Sequence, residues 1–146
     1  MGWCVYIRKG KVYIPTTAEA KSGFYLGVEP IEVADITDSE SLRRSVAAVI
    51  NRGRPSVPDP PRDAYKNHPI LALAGVKGWT TFYKGTRQLG FMRGVSGFEI
   101  AEFIPYGQGK QGFKPDESTR IKLPGNFSMP QVIERIVAEI QRSGAA

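Results

Sequence analysis

Apolar and polar residues alternate near the start of the chain: Val5 and Ile7, then a Lys9-Gly10 turn, then Val12 and Ile14. A period of two around a glycine predicts a β-hairpin over residues 4–14. Pro15, which lacks the N–H a ladder needs, is expected to end it, and the polar run 16–22 reads as a loop. Phe24, Leu26 and Val28 behind Gly23 predict another strand, and Ile31, Val33 and Ile36 after Pro30 a further one, so residues 4–36 read as a meander.

The period then changes. Thr37-Asp38-Ser39-Glu40 fits a capping box with the Thr37 hydroxyl at the cap and Glu40 bonding back. Leu42, Val46, Val49 and Ile50 follow at helical spacing, and Gly53 with Pro55 supplies the stop, which predicts a helix over 38–52. Five prolines (Pro55, Pro58, Pro60, Pro61 and Pro69) exclude helix or central strand from most of the next stretch, so residues 54–69 read as an extended surface arm or long loop. The apolar run 70–74 is too short for its period to separate strand from helix. Beyond it, the spacing of Trp79, Phe82 and Tyr83 places three rings on one face of a short helix.

Strand patterns return at 89–92 and 98–104, joined by a turn carrying Gly94 and Gly97, and again at 120–123. Ser128 then caps a helix over 129–143 with Pro130 in its first turn and an apolar stripe of Ile133, Ile136, Val137 and Ile140. Strands fall in blocks and do not alternate with helices. That order predicts one α+β domain over residues 1–146, with a mainly antiparallel sheet and two principal helices.

A chain of 146 residues can close around one core, and 41% hydrophobic with 23% charged residues is a globular composition. No apolar run approaches the roughly 20 residues that cross a bilayer, and no secretory pattern opens the chain, so a cytoplasmic protein without membrane contact is expected. The formal charge of +6 favours an acidic partner.

Reactive residues are sparse. Cys4 is the single cysteine, which precludes an intrachain disulfide or a thiolate metal cluster, and its apolar neighbours suggest a small buried hydrophobe. His68, the single histidine, has no Ser, Cys or acid beside it and reads as a bystander, not a base. Carboxylates show no Asp-x-Asp or Glu-x-x-His spacing, so no metal or other cofactor is expected. The glycine-rich segment 107–112 lacks the Gly-Lys-Ser/Thr ending of a phosphate loop and reads as a hairpin whose Lys110 and Lys114 meet an acidic partner. A non-enzymatic protein that works by binding a macromolecule is the expectation these absences leave.

Two partner classes fit. Nucleic acid would use Arg43, Arg44, Arg52, Arg54 and Lys110 as phosphate contacts, with the rings of Trp79, Phe82 and Tyr83 for stacking. A protein partner is suggested by three segments taken together: Val12-Tyr13-Ile14-Pro15 with Gly23-Phe24-Tyr25-Leu26 and Glu29-Pro30; Val57-Pro58-Asp59-Pro60 leading to Arg62; and Gly75-Val76-Lys77-Gly78-Trp79 with Phe82. The arrangement, within about the first 90 residues, resembles small bacterial immunity proteins of contact-dependent growth inhibition and other polymorphic toxin systems. The resemblance implies a non-enzymatic protein that binds a cognate toxin domain and neutralises it. Contact residues are then expected on the proline-rich arm, at Arg54 and Arg62, where prolines lower the ordering cost of an exposed segment, with Lys110 as a further cation and Trp79 as an anchor.

Overall fold

The computed structural model describes the backbone of residues 2–107 and 110–145, and the side chains of 2–105 and 113–145. The fold is α+β. Strands β1 (Gly2–Arg8), β2 (Lys11–Ala20) and β3 (Tyr25–Asp35) are followed by helix α1 (Ser39–Arg52), a short strand β4 (Ser56–Val57), and helices α2 (Pro69–Ala74) and α3 (Trp79–Tyr83). Then come β5 (Thr86–Gly94), β6 (Gly97–Gly107), β7 (Lys110–Pro115), a 3-10 turn at Glu117–Thr119, β8 (Ile121–Lys122) and helix α4 (Met129–Ala145). The described strands form one eight-stranded sheet in the order β3-β2-β1-β5-β6-β7, with β8 antiparallel to β6 and β4 parallel to β2.

The alternation in β1 and β2 sorts side chains onto two faces, because successive residues of a strand point opposite ways. Trp3, Val5, Ile7, Val12 and Ile14 join Leu42, Val46 and Val49 of α1 and Val132, Ile136, Val137 and Ile140 of α4 in the main core. Tyr6 and Tyr13 point the other way, into a smaller cluster with Ile70 and Leu71 of α2 and Phe82 of α3. The sheet is therefore covered on both faces: α1 and α4 on one, the segment 54–85 on the other. Every charged side chain of α1 and α4 is ion-paired, through Arg43–Glu134, Arg44–Glu40, Arg52–Glu32, Arg135–Glu139 and Arg142–Glu139.

Three local expectations need correction. Pro15 does not end β2, which runs on to Ala20 through the stretch expected as a loop. The missing N–H is accommodated at a register shift against β3 between Pro15 and Thr16, and the Thr16 hydroxyl donates to the Pro30 carbonyl at 2.8 Å. Pro30 likewise does not divide two strands; it lies within β3, an edge strand where a ladder donor can be spared. The cap of α1 is Asp38, whose carboxylate accepts from Ser41 N at 3.0 Å, because Thr37 already donates its N–H and hydroxyl to Asp35. Glu40 pairs with Arg44 and does not reach back.

At α4 the capping-box geometry does form: Ser128 N donates to Gln131 Oε1 at 2.8 Å and Gln131 N to Ser128 Oγ at 3.4 Å. Its buried stripe holds Ile136, Val137 and Ile140 as expected, with Val132 buried in place of the expected Ile133, which is buried only in part.

Candidate functional site

The second face carries a cleft of about 680 Å³, bounded by β1 and the start of β2's partner strand on one side and by the proline-rich arm and α3 on the other. Its floor comes from the outward positions of β1, Cys4 and Tyr6, and its walls from Phe24, Tyr25, Tyr65, His68, Trp79 and Tyr83. Six aromatic rings line it, and three of them remain open to solvent: Tyr65 at 59%, Tyr25 at 55% and Phe24 at 46% exposure.

Each wall is held by identifiable contacts. The rings of Tyr65 and Trp79 stack at 4.8 Å and those of Trp79 and Tyr83 at 5.3 Å, while Phe82 supports both α3 rings edge-on from the core side. Trp79 Nε1 donates to the Tyr65 carbonyl at 2.6 Å, which ties the arm to α3. Arg8, almost wholly buried, donates through Nη1 to the carbonyls of Thr81, Phe82 and Lys84, and so satisfies the C-terminal turn of α3 with a charge. His68 caps α2: Nδ1 accepts from Ile70 N at 3.2 Å, which leaves Nε2 to carry the proton donated to the Gly27 carbonyl at 2.8 Å. One ring nitrogen thereby caps α2 and the other fastens the end of the arm to β3.

On the floor, burial pushes the Cys4 thiol above its ordinary pKa, against smaller opposing effects of hydrogen bonds to Gln88 and Tyr6. Burial also raises the Tyr6 and Tyr83 phenols, with neighbouring Cys4 and Tyr65 adding to it. All three groups are protonated at neutral pH, with Tyr6 hydrogen-bonded to Cys4 and Tyr83 to Tyr65. Gln88 Nε2 lies 3.6 Å from Cys4 Sγ, and Gln88 Oε1 is buried without a hydrogen-bond partner among the described residues.

The arm is fastened at its outer end by Asp59, which accepts from Ser22 N at 2.9 Å and from the Ser22 hydroxyl. These bonds hold the Asp59 carboxyl below the usual aspartate pKa. A lowered folded value means that the tie is complete above the unfolded pKa and is lost as pH falls through the folded one. In an acid titration followed by NMR, the Ser22 amide is expected to shift with a midpoint below about 3.9, the ordinary aspartate value. A midpoint at or above the ordinary value would mean that the bond does not form in solution.

The residues expected at the site are only partly brought together. Trp79 lines the cleft, half-buried, with the rings of Tyr65 and Tyr83 stacked against it. Arg54 stands at the rim beside Tyr25: its guanidinium donates to the Tyr25 hydroxyl at 2.7 Å, lies 5.2 Å from the ring centre, and pairs with Glu19 at 3.8 Å. Arg62 is exposed on the arm, with no hydrogen bond or ion pair among the described residues. Lys110 opens β7, and its side chain lies outside the described residues. Arg43, Arg44 and Arg52 belong to α1, on the opposite layer, each engaged with a glutamate. Cys4, expected as a core hydrophobe, faces the cleft because it occupies the outward phase of β1. Sequence reasoning missed Phe24, Tyr25 and Tyr65 as site residues; the available signal was their aromatic character beside turn-forming glycine and proline.

No family model matches the chain, and no curated protein is similar to it in sequence. In structure it is similar to NMB0488, a protein of unknown function from Neisseria meningitidis, at 14% identity and a TM-score of 0.65 over 97% of this chain and 93% of that one. That likeness concerns the fold. Among the described residues no three His, Cys, Asp or Glu side chains are placed to hold a metal ion, and no helix is long and apolar enough to cross a membrane.

Proposed function

We propose that the chain is an immunity protein that binds and neutralises a cognate toxin domain, and that the aromatic cleft is the surface that meets it. The observation carrying this reading is the open concavity walled by Phe24, Tyr25, Tyr65 and Trp79 with Arg54 at its rim. Tyrosine, tryptophan and arginine around a pocket are the composition of protein-binding hot spots. The segments that resemble toxin-immunity proteins supply three of its walls: Phe24 and Tyr25, the arm after Pro58, and Trp79. The groups that could have served chemistry are occupied in holding the cleft, His68 as a cap and tie and Cys4 as a protonated floor thiol. A preformed concavity of this kind lowers the ordering cost of binding, which suits an inhibitor.

The test is capture followed by genetics. The tagged chain is used to recover a nuclease-resistant, stoichiometric protein from its native host, and the gene of that protein is expressed alone and together with the chain. Growth arrest by the captured domain alone, relieved by co-expression, is the expected result. A captured protein that does not impair growth, or recovery of nucleic acid only, overturns the reading.

A further inference from the structure

The two layers differ in how their charges are used. On α1 and α4 every arginine is neutralised by a glutamate. In the segment 54–85 there are five cations, Arg54, Arg62, Lys66, Lys77 and Lys84, against two carboxylates, Asp59 and Asp63. Arg62, Lys66, Lys77 and Lys84 are exposed, and among the described residues no carboxylate pairs with them. Lys66 directly follows Tyr65 and Lys84 directly follows Tyr83, so two of these cations flank rings of the cleft wall. Glu29 is the one acid in the lining, and it stands on the β3 side, across from them.

Granted the binding role proposed above, we infer that the partner surface received here is acidic: a carboxylate-bearing segment with one apolar side chain seated among the rings. The apolar part of such a segment enters the space between Tyr25, Tyr65 and Trp79. Its carboxylates meet the exposed lysines, of which Lys66 and Lys84 directly follow the wall rings Tyr65 and Tyr83. Complementary charge of this kind accelerates encounter and sets orientation, while the seated side chain slows release.

A polyanion of the nucleic-acid class fits less well. Bases bind such surfaces by stacking on free ring faces. Here Trp79 already carries Tyr65 at 4.8 Å and Tyr83 at 5.3 Å, and of the cations a phosphate backbone would follow, Arg43, Arg44 and Arg52 lie on the opposite layer, each paired with a glutamate. A carboxylate-flanked side chain needs only the concavity and the surrounding donors.

The experiment is an NMR titration of the isotopically labelled full chain with the synthetic peptide Glu-Glu-Asp-Phe-Asp-Glu-Glu. Comparison probes are the same peptide with serine for phenylalanine, the same with lysine for every acid, and an oligo-dT strand. Amide shifts are expected in the segment 62–84 and at Tyr6, with α1 unaffected. The triple variant Lys66→Glu, Lys77→Glu, Lys84→Glu is expected to weaken binding about tenfold or more, and the α1 variant Arg43→Glu, Arg44→Glu less than about twofold. The serine peptide should bind at least about fivefold more weakly, since it loses the buried ring. The inference is overturned if shifts fall on α1, if no shift develops at millimolar peptide, if the lysine peptide binds equally, or if oligo-dT binds more tightly than the acidic peptide. This titration needs no toxin: growth protection that persists with a failed titration overturns the acidic preference alone, whereas a positive titration without any protective effect removes the immunity reading and leaves the preference standing.

Discussion

Replacing Phe82 by alanine lowers the free energy of unfolding by about 3–5 kcal/mol, the usual cost of emptying a fully buried aromatic site. The ring has no exposure and touches Tyr6, Tyr13, Trp79 and Tyr83, at centroid distances of 5.4 to 6.4 Å, so the void would open at the centre of the second layer. That layer has four buried hydrophobics, Tyr13, Ile70, Leu71 and Phe82, against eighteen in the main core among the described residues. Little neighbouring mass is available to collapse into the space. Urea denaturation is the measurement: the midpoint should fall with an unchanged slope, because the surface exposed on unfolding is nearly the same. A loss under about 1 kcal/mol, the size of an ordinary point mutation, would mean that α2 and α3 unfold separately from the sheet and contribute little to its stability.

Tyr65→Ala is expected to act on binding instead. The side chain is 59% exposed, and the tie between Trp79 Nε1 and residue 65 goes to a backbone carbonyl that the substitution retains. Stability should therefore change by less than about 1 kcal/mol. What disappears is one wall of the cleft and the ring stacked on Trp79 at 4.8 Å. Removal of a hot-spot tyrosine costs about 2 kcal/mol or more, which is roughly a thirtyfold loss of affinity. Calorimetric titration with the protein captured from the native host reads this directly. An affinity changed by less than about threefold, in a protein as stable as the parent, would place the contact surface away from the cleft.

These two substitutions separate what holds the site from what uses it. Phe82 and the buried Arg8 are supports: one fills the space beneath α3, the other satisfies its terminal carbonyls. Tyr65, Tyr25 and Phe24 stand outside, where their apolar area is still available to a partner. A similar division runs through the cations. Those of α1 and α4 are engaged in internal pairs, whereas Arg62, Lys66, Lys77 and Lys84 of the arm and the α2–α3 region are exposed with no ion pair among the described residues.

Much of the fold was determined by local pattern. A period of two in β1 and the first half of β2, a period near 3.6 in α1 and α4, and glycine turns at Lys9-Gly10 and Gly94 to Gly97 each depend on neighbours in sequence, and such signals survive without knowledge of the tertiary structure. So the class of fold, the two principal helices and the short aromatic helix were legible from the residues alone. Tertiary context decided the rest. Whether Pro15 stops a strand depends on whether a partner strand can shift register to spare its N–H, and only β3 with its bulge answers that. Whether Thr37 or Asp38 caps α1 depends on Asp35 reaching the Thr37 donors first. The cleft itself is wholly of this second kind. Its rings come from residues 6, 24, 25, 65, 79 and 83, separated in sequence by up to 77 positions, and they meet because the sheet buries one face under α1 and α4 and leaves the other to be roofed by a proline-rich arm. Charge pairing follows the same rule: the sequence set how many cations exceed anions, but only the placement of Glu134 beside Arg43 and Glu32 beside Arg52 decided which cations are paired and which stay exposed.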